Sequence, residues 1–236
     1  MFSGTGIYSI REAARLIQVP PRKLGRWMFG HNYFSKTTGA RLSSSALWTP
    51  QPVAVTAPNR LIGFADLLEA RFVSAFASYG VPLRVIRHCL ASAQSLYRVK
   101  YPFTTLRFKT DGKTIFAEAV REASANASLV DLNSLQNVFR EIIRPSLYAG
   151  IEYRGGNALK WYPALRREGI VLDPARESGR AIVEDTGTPT DVLYASYVAE
   201  GATPRAACHT ARIYDVPLRY VRSAIKFESH LSALNH

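Results

Sequence analysis

An α+β chain in three parts is what this sequence predicts: an N-terminal winged helix-turn-helix, a small β-hairpin and helix region in the middle, and a C-terminal three-helix domain. Three observations predict it. The first is a segregation of charge. Residues 1–110 hold 15 Lys and Arg against three acids, Glu12, Asp66 and Glu69, whereas residues 111–236 hold 15 of each sign. The whole net charge of +12 therefore belongs to the front of the chain, which is the footprint of a polyanion-binding module joined to a module with another task. The second is a phrase used three times, "VPPRKLGRWM" at Val19, "VPLRVIRHCL" at Val81 and "VPLRYVRSAI" at Val216. Each places proline at the start of a helix, where its missing N–H costs nothing, after an aliphatic residue able to pack backwards. The third is helical apolar spacing that alternates with hairpin signals punctuated by Gly and Pro.

The elements follow in order. In "YSIREAARLIQVPPRKLGRWMFG", Ser9 is an N-cap, Glu12 completes a capping box, and Tyr8 can staple against Ala13. Ala13, Ala14, Leu16 and Ile17 form the inner face of a short helix, with Arg11 and Arg15 outside. A second helix over Pro20–Phe29 turns Leu24 and Trp27 or Met28 inward and Arg22, Lys23 and Arg26 outward. Long donors near the start of such a helix match the two acceptors that guanine presents in the major groove. The competing reading is a solvated basic face. A β-wing from His31 to Arg60 carries Lys36, Arg41 and Arg60. "FADLLEARFVSAFASYG" and "VPLRVIRHCLASAQSLYR" are two further helices, the second with a core stripe of Ile86, Cys89, Leu90, Ala93 and Leu96 or Tyr97.

In the middle, "TLRFKTDGKTIFAEA" reads as a hairpin turning at Asp111-Gly112, with Phe108 opposite Ile115 and Leu106 opposite Ala117. "SLVDL" reads as a strand and "NSLQNVFREIIRPSL" as a helix ending near Pro145. "GIEYRGGNALKWYP" is a hairpin about Gly155-Gly156, and "GIVLDP" a last strand. From Asp173 an extended lead-in precedes three helices, starting near Thr190, Thr203-Pro204 and Pro217; Tyr220, Ala224, Phe227 and Leu231 line the last one's apolar side. The expected domains are 1–100, 101–172 and 173–236.

Several function classes find no support. The longest charge-free run, Leu42–Asn59, is broken by Pro50, Pro52 and Pro58, so no membrane span is expected. The N-terminus has no basic segment followed by an apolar one, and the two cysteines form no framework, which points to a cytoplasmic protein. His88-Cys89 and Cys208-His209 are adjacent pairs whose side chains diverge by about 100° on a helix, unlike zinc spacings. The "GTG" at Gly4 follows no strand and is no dinucleotide loop. Asp173/Glu177 and Glu184/Asp185 are the closest carboxylate clusters, but they lie in an exposed, extended lead-in, where the convergence that a catalytic Mg²⁺ needs is not expected. Neither catalytic residue, metal nor cofactor is expected.

The order of elements in "YSIREAARLIQVPPRKL", "RLIGFADLLEARFV" and "GVPLRVI" resembles the MerR-like winged-helix DNA-binding domain over the first 98 residues. MerR activators follow their last helix with a long dimerising helix. Here the chain breaks at Tyr101–Pro102, so a dimer contact is expected elsewhere. "DPARESGRAIV", "GTPTDVL" and "AEGATPRAACHTARIYDVPLRYVRSAIKFE" are similar to the small helical domain of antitoxins encoded beside PIN-like toxins. The pairing of the two resembles the larger VapB-type antitoxins. That resemblance implies a type II antitoxin that represses its own promoter and neutralises a PIN-domain ribonuclease toxin, as a homodimer within a hetero-oligomer. The implied partners are double-stranded promoter DNA and the toxin. Candidate DNA contacts are Ser9, Arg11, Arg22, Lys23, Arg26, Lys36, Arg41 and Arg60. Candidate toxin contacts are Arg176 and Arg180 first, then Arg219 and Arg222, because an acidic metal-binding groove attracts cations. Two other classes stay open: a ligand-responsive MerR-like transcription regulator, and an enzyme acting on nucleic acid.

Overall fold

A computed structural model describes residues 5–35, 37–51, 60–125 and 145–233. Ser9 begins the first helix as expected: its hydroxyl accepts the Glu12 amide at 3.1 Å, capping α1 (Ile10–Leu16). α2 (Pro21–Phe29) follows a tight turn and buries Leu24, Trp27 and Met28. Gly30 then lets the chain leave α2 with φ +69°, passing so close to the backbone of Ser44 that a Cβ would sit 2.5 Å from its carbonyl oxygen. The segment predicted as a wing holds a two-stranded ribbon, β2 (His31–Phe34) paired antiparallel with β3 (Arg41–Ser44). A second ribbon pairs β1 (Tyr8–Ser9) with β4 (Leu61–Ile62).

α3 (Phe64–Ser78) is the axis of the core, burying Phe64, Leu67, Leu68, Ala70, Phe72, Val73 and Phe76. It also buries two acids. Asp66 accepts the Trp48 indole N–H at 2.8 Å and the amides of Gln51 and Gly63 at 2.8 and 3.0 Å. Glu69 accepts the amides of Phe103 and Thr104 at 3.1 and 3.3 Å. Burial pushes the Glu69 carboxyl well above the usual carboxylate range, and those two amides partly offset it. α4 (Leu83–Tyr97) buries Ile86, Cys89, Leu90, Ala93 and Tyr97, as the periodicity predicts, and leaves Leu96 exposed.

The predicted hairpin at Asp111-Gly112 is not formed. Residues Leu106–Ala125 are one 20-residue helix, α5, packed along α4. Phe108, Ile115, Phe116, Ala119 and Val120 are all buried, at spacings of 7, 8, 11 and 12 that belong to a 3.6-residue period. A two-residue turn signal loses to that periodicity. Gly112 has another use, since a Cβ there would stand 3.0 Å from the Phe108 ring. The helix predicted to be absent after the Tyr101–Pro102 break is therefore present, but it folds back onto its own chain. Phe76 meets Phe103, Phe108 and Phe116 at ring separations of 5.3, 6.5 and 5.6 Å, joining α3 to this hairpin of helices.

The predicted "SLVDL" strand and nearly all of the following helix lie outside the described residues. A short helix, α6 (Pro145–Tyr148), leads into β5 (Ile151–Arg154) and β6 (Asn157–Trp161), the expected hairpin about Gly155-Gly156. β7 (Ile170–Leu172) is not the last strand. β8 (Ala181–Val183), within the predicted extended lead-in, pairs with it and completes an antiparallel sheet in the order β5-β6-β7-β8. The reason is the folded turn between them, where the Arg176 amide donates to Asp173 and the Gly179 amide to Arg176. The sheet thus runs across residue 172, and one apolar cluster extends from Tyr8 to Leu172. Ile170 and Val183 meet α7 (Thr190–Ala199), α8 (Pro204–Ile213) and α9 (Leu218–Ala233), the three expected C-terminal helices.

The three Val-Pro phrases share one structure. Gln18, Gly80 and Asp215 take left-handed φ of 58°, 81° and 51°. The next residue, a buried valine, donates its amide five residues back: Val19 to Ala14, Val81 to Phe76 and Val216 to Ala211. This is a Schellman helix stop, closed by an aliphatic contact and followed at once by proline. Glu69→Ala orphans two buried N–H groups at about 1–3 kcal/mol each, and a urea melt will show a lowered midpoint with an unchanged slope.

Candidate nucleic-acid interface

α2 owes its outward basic face to helical geometry. With Leu24, Trp27 and Met28 committed to the core, Arg22, Lys23 and Arg26 must point outward, and all three are exposed. Lys23 lies 5.2 Å above the Trp27 ring, which steadies its ammonium without neutralising it. The wing stands beside this helix. Cross-strand partners share a face, so His31, Tyr33, Leu42 and Ser44 form one side and Asn32, Phe34, Arg41 and Ser43 the other. The His31–Ser44 end of the former side meets α2, lining a small cavity of about 190 Å³ with Lys23, Arg26 and Arg87. The latter borders Arg60, whose guanidinium lies 4.8 Å over the Phe29 ring. Lys36 lies outside the described residues.

Charge is distributed to suit an anionic partner. Of the three acids in residues 1–110, Asp66 and Glu69 are fully buried on α3. Glu12 is half-buried against α1's own N-terminus, and burial raises its carboxyl pKa above the ordinary value. The outward cations of α2 and the wing therefore face solvent with no opposing carboxylate among the described residues of this half. In that setting a phosphate backbone meets an undiluted positive field.

Arg11 and Ser9 are placed differently. The Ser9 hydroxyl is spent on its cap, and both residues line a cleft of about 990 Å³ between α1 and the C-terminal module. Across that cleft, Arg15 lies 3.9 Å from Glu228, and the Gln18 amide meets the His230 ring at 2.8 Å. The Glu228 carboxyl is also raised by burial, although the Thr190 hydroxyl donates to it at 2.5 Å. Tyr8 donates to the Gly179 carbonyl at 2.7 Å and the Ile7 amide to Ser178 at 2.8 Å. The first helix of the chain is thus clasped by its other end.

No protein-family model matches this chain. It is 26% identical, over 93% of its own length and 93% of the relative's, to a protein of Mycobacterium tuberculosis named "Putative antitoxin VapB45". Its fold is also that of the crystal structure of Rv2018 from the same organism, with a TM-score of 0.65 over 92% of this chain and 96% of that one at 22% identity. Both likenesses run nearly the whole length of the chain.

The four C-terminal candidates differ in availability. Arg176 donates to the Glu184 carbonyl at 2.8 Å and packs against Gly187. Arg180 is bound to Asp191 at 2.5 Å, and that carboxylate raises its pKa. Arg219 lies 4.4 Å over the Tyr220 ring, and Arg222 is exposed with no partner among the described residues. No helix is long and apolar enough to cross a membrane, and the described residues hold no cluster of metal-binding side chains.

Sequence reasoning missed Arg87. It reaches 41 and 42 residues back to donate to the Ala46 and Ser45 carbonyls at 2.8 and 3.0 Å and to the Ser45 hydroxyl at 3.1 Å, pinning the base of the wing to α4. Nothing in its local sequence distinguishes it from Arg84, which is exposed. Arg87→Ala should cost about 1.5–3 kcal/mol in chemical denaturation, as charge-assisted bonds do. Arg22→Ala should change stability by less than about 0.5 kcal/mol, as exposed substitutions do.

Proposed function

We propose that this protein is the DNA-binding antitoxin of a toxin–antitoxin pair. Its N-terminal module grips the promoter of its own operon as an autorepressor, with α2 in the major groove. Its C-terminal module holds a PIN-domain ribonuclease inactive. The reading rests on one coincidence: likeness along nearly the whole chain to a protein named as an antitoxin, and a cationic helix-and-wing face whose neighbouring acids are buried. Two-fold operators a helical turn apart suit a homodimer, which would sit within a hetero-oligomer with the toxin.

The contacts divide by chemistry. Arg22, Lys23 and Arg26 read or flank base edges, and Arg41, Arg60 and Lys36 serve the backbone and the groove beside them. Arg219 and Arg222, whose guanidinium groups are not tied to a carboxylate among the described residues, are the cations with most freedom to enter an acidic nuclease groove. Arg176 and Arg180 would first have to release Glu184 and Asp191. The cleft between α1 and the C-terminal module favours a second reading, a ligand-responsive MerR-like regulator without a toxin. That reading wins if the purified chain carries a small molecule whose removal changes DNA affinity.

Two experiments test the proposal. With the full chain on duplex from upstream of its own gene, log Kd should rise linearly with log salt, at roughly 0.9 per phosphate neutralised. Arg22→Ala should relax preference for that duplex over scrambled DNA by about 1–3 kcal/mol, whereas Lys36→Ala should weaken both alike. Equal effects would remove α2 from the groove. In the other experiment, co-expression with the neighbouring ribonuclease should permit growth, and Arg219→Ala with Arg222→Ala should restore RNA cleavage. A neighbour that is no nuclease sinks the antitoxin half alone.

A further inference from the structure

The wing carries something that electrostatics does not explain. Phe34 is 72% exposed, and on the opposite face of the ribbon Tyr33 and Leu42 are 45% and 42% exposed. A phenylalanine held this far out on a two-stranded ribbon gains nothing for folding and costs solubility. It is also not alone. Its cross-strand partner is Arg41, its face continues through Asn32 and Ser43, and Asn32 and Ser43 line a trough of about 580 Å³ together with Arg60. The face therefore presents an amide and a hydroxyl, then an aromatic knob beside the Arg41 guanidinium, and the trough at the Asn32–Ser43 pair adds the Arg60 guanidinium. Arginine and asparagine around a protruding apolar side chain is the chemistry of proteins that enter the minor groove. There the cations seek the enhanced negative potential and the wedge pries apart a base step.

We propose that the outer face of the wing is a minor-groove wedge, in which Phe34 partly unstacks one base step while Arg41 and Arg60 hold the groove on either side. This deepens the promoter-binding reading and rests on it. The alternative occupant, a second copy of this chain on the same apolar ribbon, is less well matched: Arg41 and Arg60 would repel their symmetry mates, and no carboxylate among the described residues of this face answers them. A wedge adds specificity at a site without base-edge hydrogen bonds, because pyrimidine–purine steps unstack most cheaply.

The test uses full-length protein and end-labelled duplexes from upstream of its own gene, with 2-aminopurine placed at successive steps. Wild type should bend the duplex by about 20–90° and raise 2-aminopurine fluorescence at one step in each half-site. Phe34→Ala, an exposed change that leaves the core untouched, should abolish both signals. It should lower affinity roughly tenfold and leave the salt slope unaltered, because no phosphate contact is lost. Phe34→Leu should restore part of the bend. Replacing a TA or CA step at the bright position by GC should weaken wild type and leave Phe34→Ala indifferent. Unchanged bending in Phe34→Ala overturns the wedge while leaving promoter binding intact. So does a loss confined to self-association in light scattering, which would assign the ribbon to a second copy. Failure of wild type to bind the duplex at all is separate, since it removes the promoter-binding reading and the wedge with it.

Discussion

Two carboxyl groups without access to water, on a helix that lines the core, constrain everything around them. A carboxyl group stripped of solvent is tolerated only when hydrogen-bond donors converge on it, and α3 meets that demand from two directions. Asp66 collects the Trp48 indole and the amides of Gln51 and Gly63, so the segment returning from the wing must end where it does. Glu69 collects Phe103 and Thr104, so the turn from α4 into α5 must lie against the opposite flank. The same two sets of bonds determine the electrostatics. By drawing two of three acids inward, the fold leaves the outer surface of the N-terminal half almost purely cationic. Structural need and surface charge therefore have a common origin, and a surface that kept those acids outside would have been less positive.

What could be read from the chain and what could not divides along sequence distance. The Val-Pro phrases were legible because a Schellman stop, an aliphatic closure and an N-terminal proline are settled within a few residues of one another. The capping by Ser9 and the outward set on α2 follow from the same local rules. The Asp-Gly dipeptide failed as a turn because its neighbours, Phe108 to Val120, keep a helical period over several turns, and the face so formed has α4 to bury against. β8 was missed for the opposite reason. Its short span, Ala181–Val183, carries too little pattern to announce a strand, and only the edge of β7 makes it one.

The candidate site was partly legible on the same terms. Arg22, Lys23 and Arg26 were placed by periodicity alone. Ser9 and Arg11 stand beside the C-terminal module because Tyr8 and Ile7 are hydrogen-bonded to Gly179 and Ser178, at the other end of the sequence. No local rule contains that distance. Arg87 was invisible for the same reason, whereas the exposure of Phe34 became meaningful only once the β2–β3 register put Arg41 beside it.

The clasp on α1 gives the two halves a physical means of mutual influence. α1 braces α2 through Ala13, Ala14 and Ile17, and its other side is held by Glu228 and His230 of α9. A partner that binds α9, where Arg219 and Arg222 stand clear of carboxylates among the described residues, acts on the same helix that supports α2. The coupling runs through few bonds, with the Arg15–Glu228 pair at 3.9 Å and the Gln18–His230 contact exposed, so each is worth little by itself. The Tyr8 hydroxyl bond to Gly179 is different. It is buried, and breaking it would strand a carbonyl and a phenol in an apolar site. Tyr8 thus fixes where the two modules meet, while the exposed polar contacts set how readily α1 shifts against α9. An allosteric exchange in either direction requires only that the latter contacts differ in strength between the free and partner-bound forms.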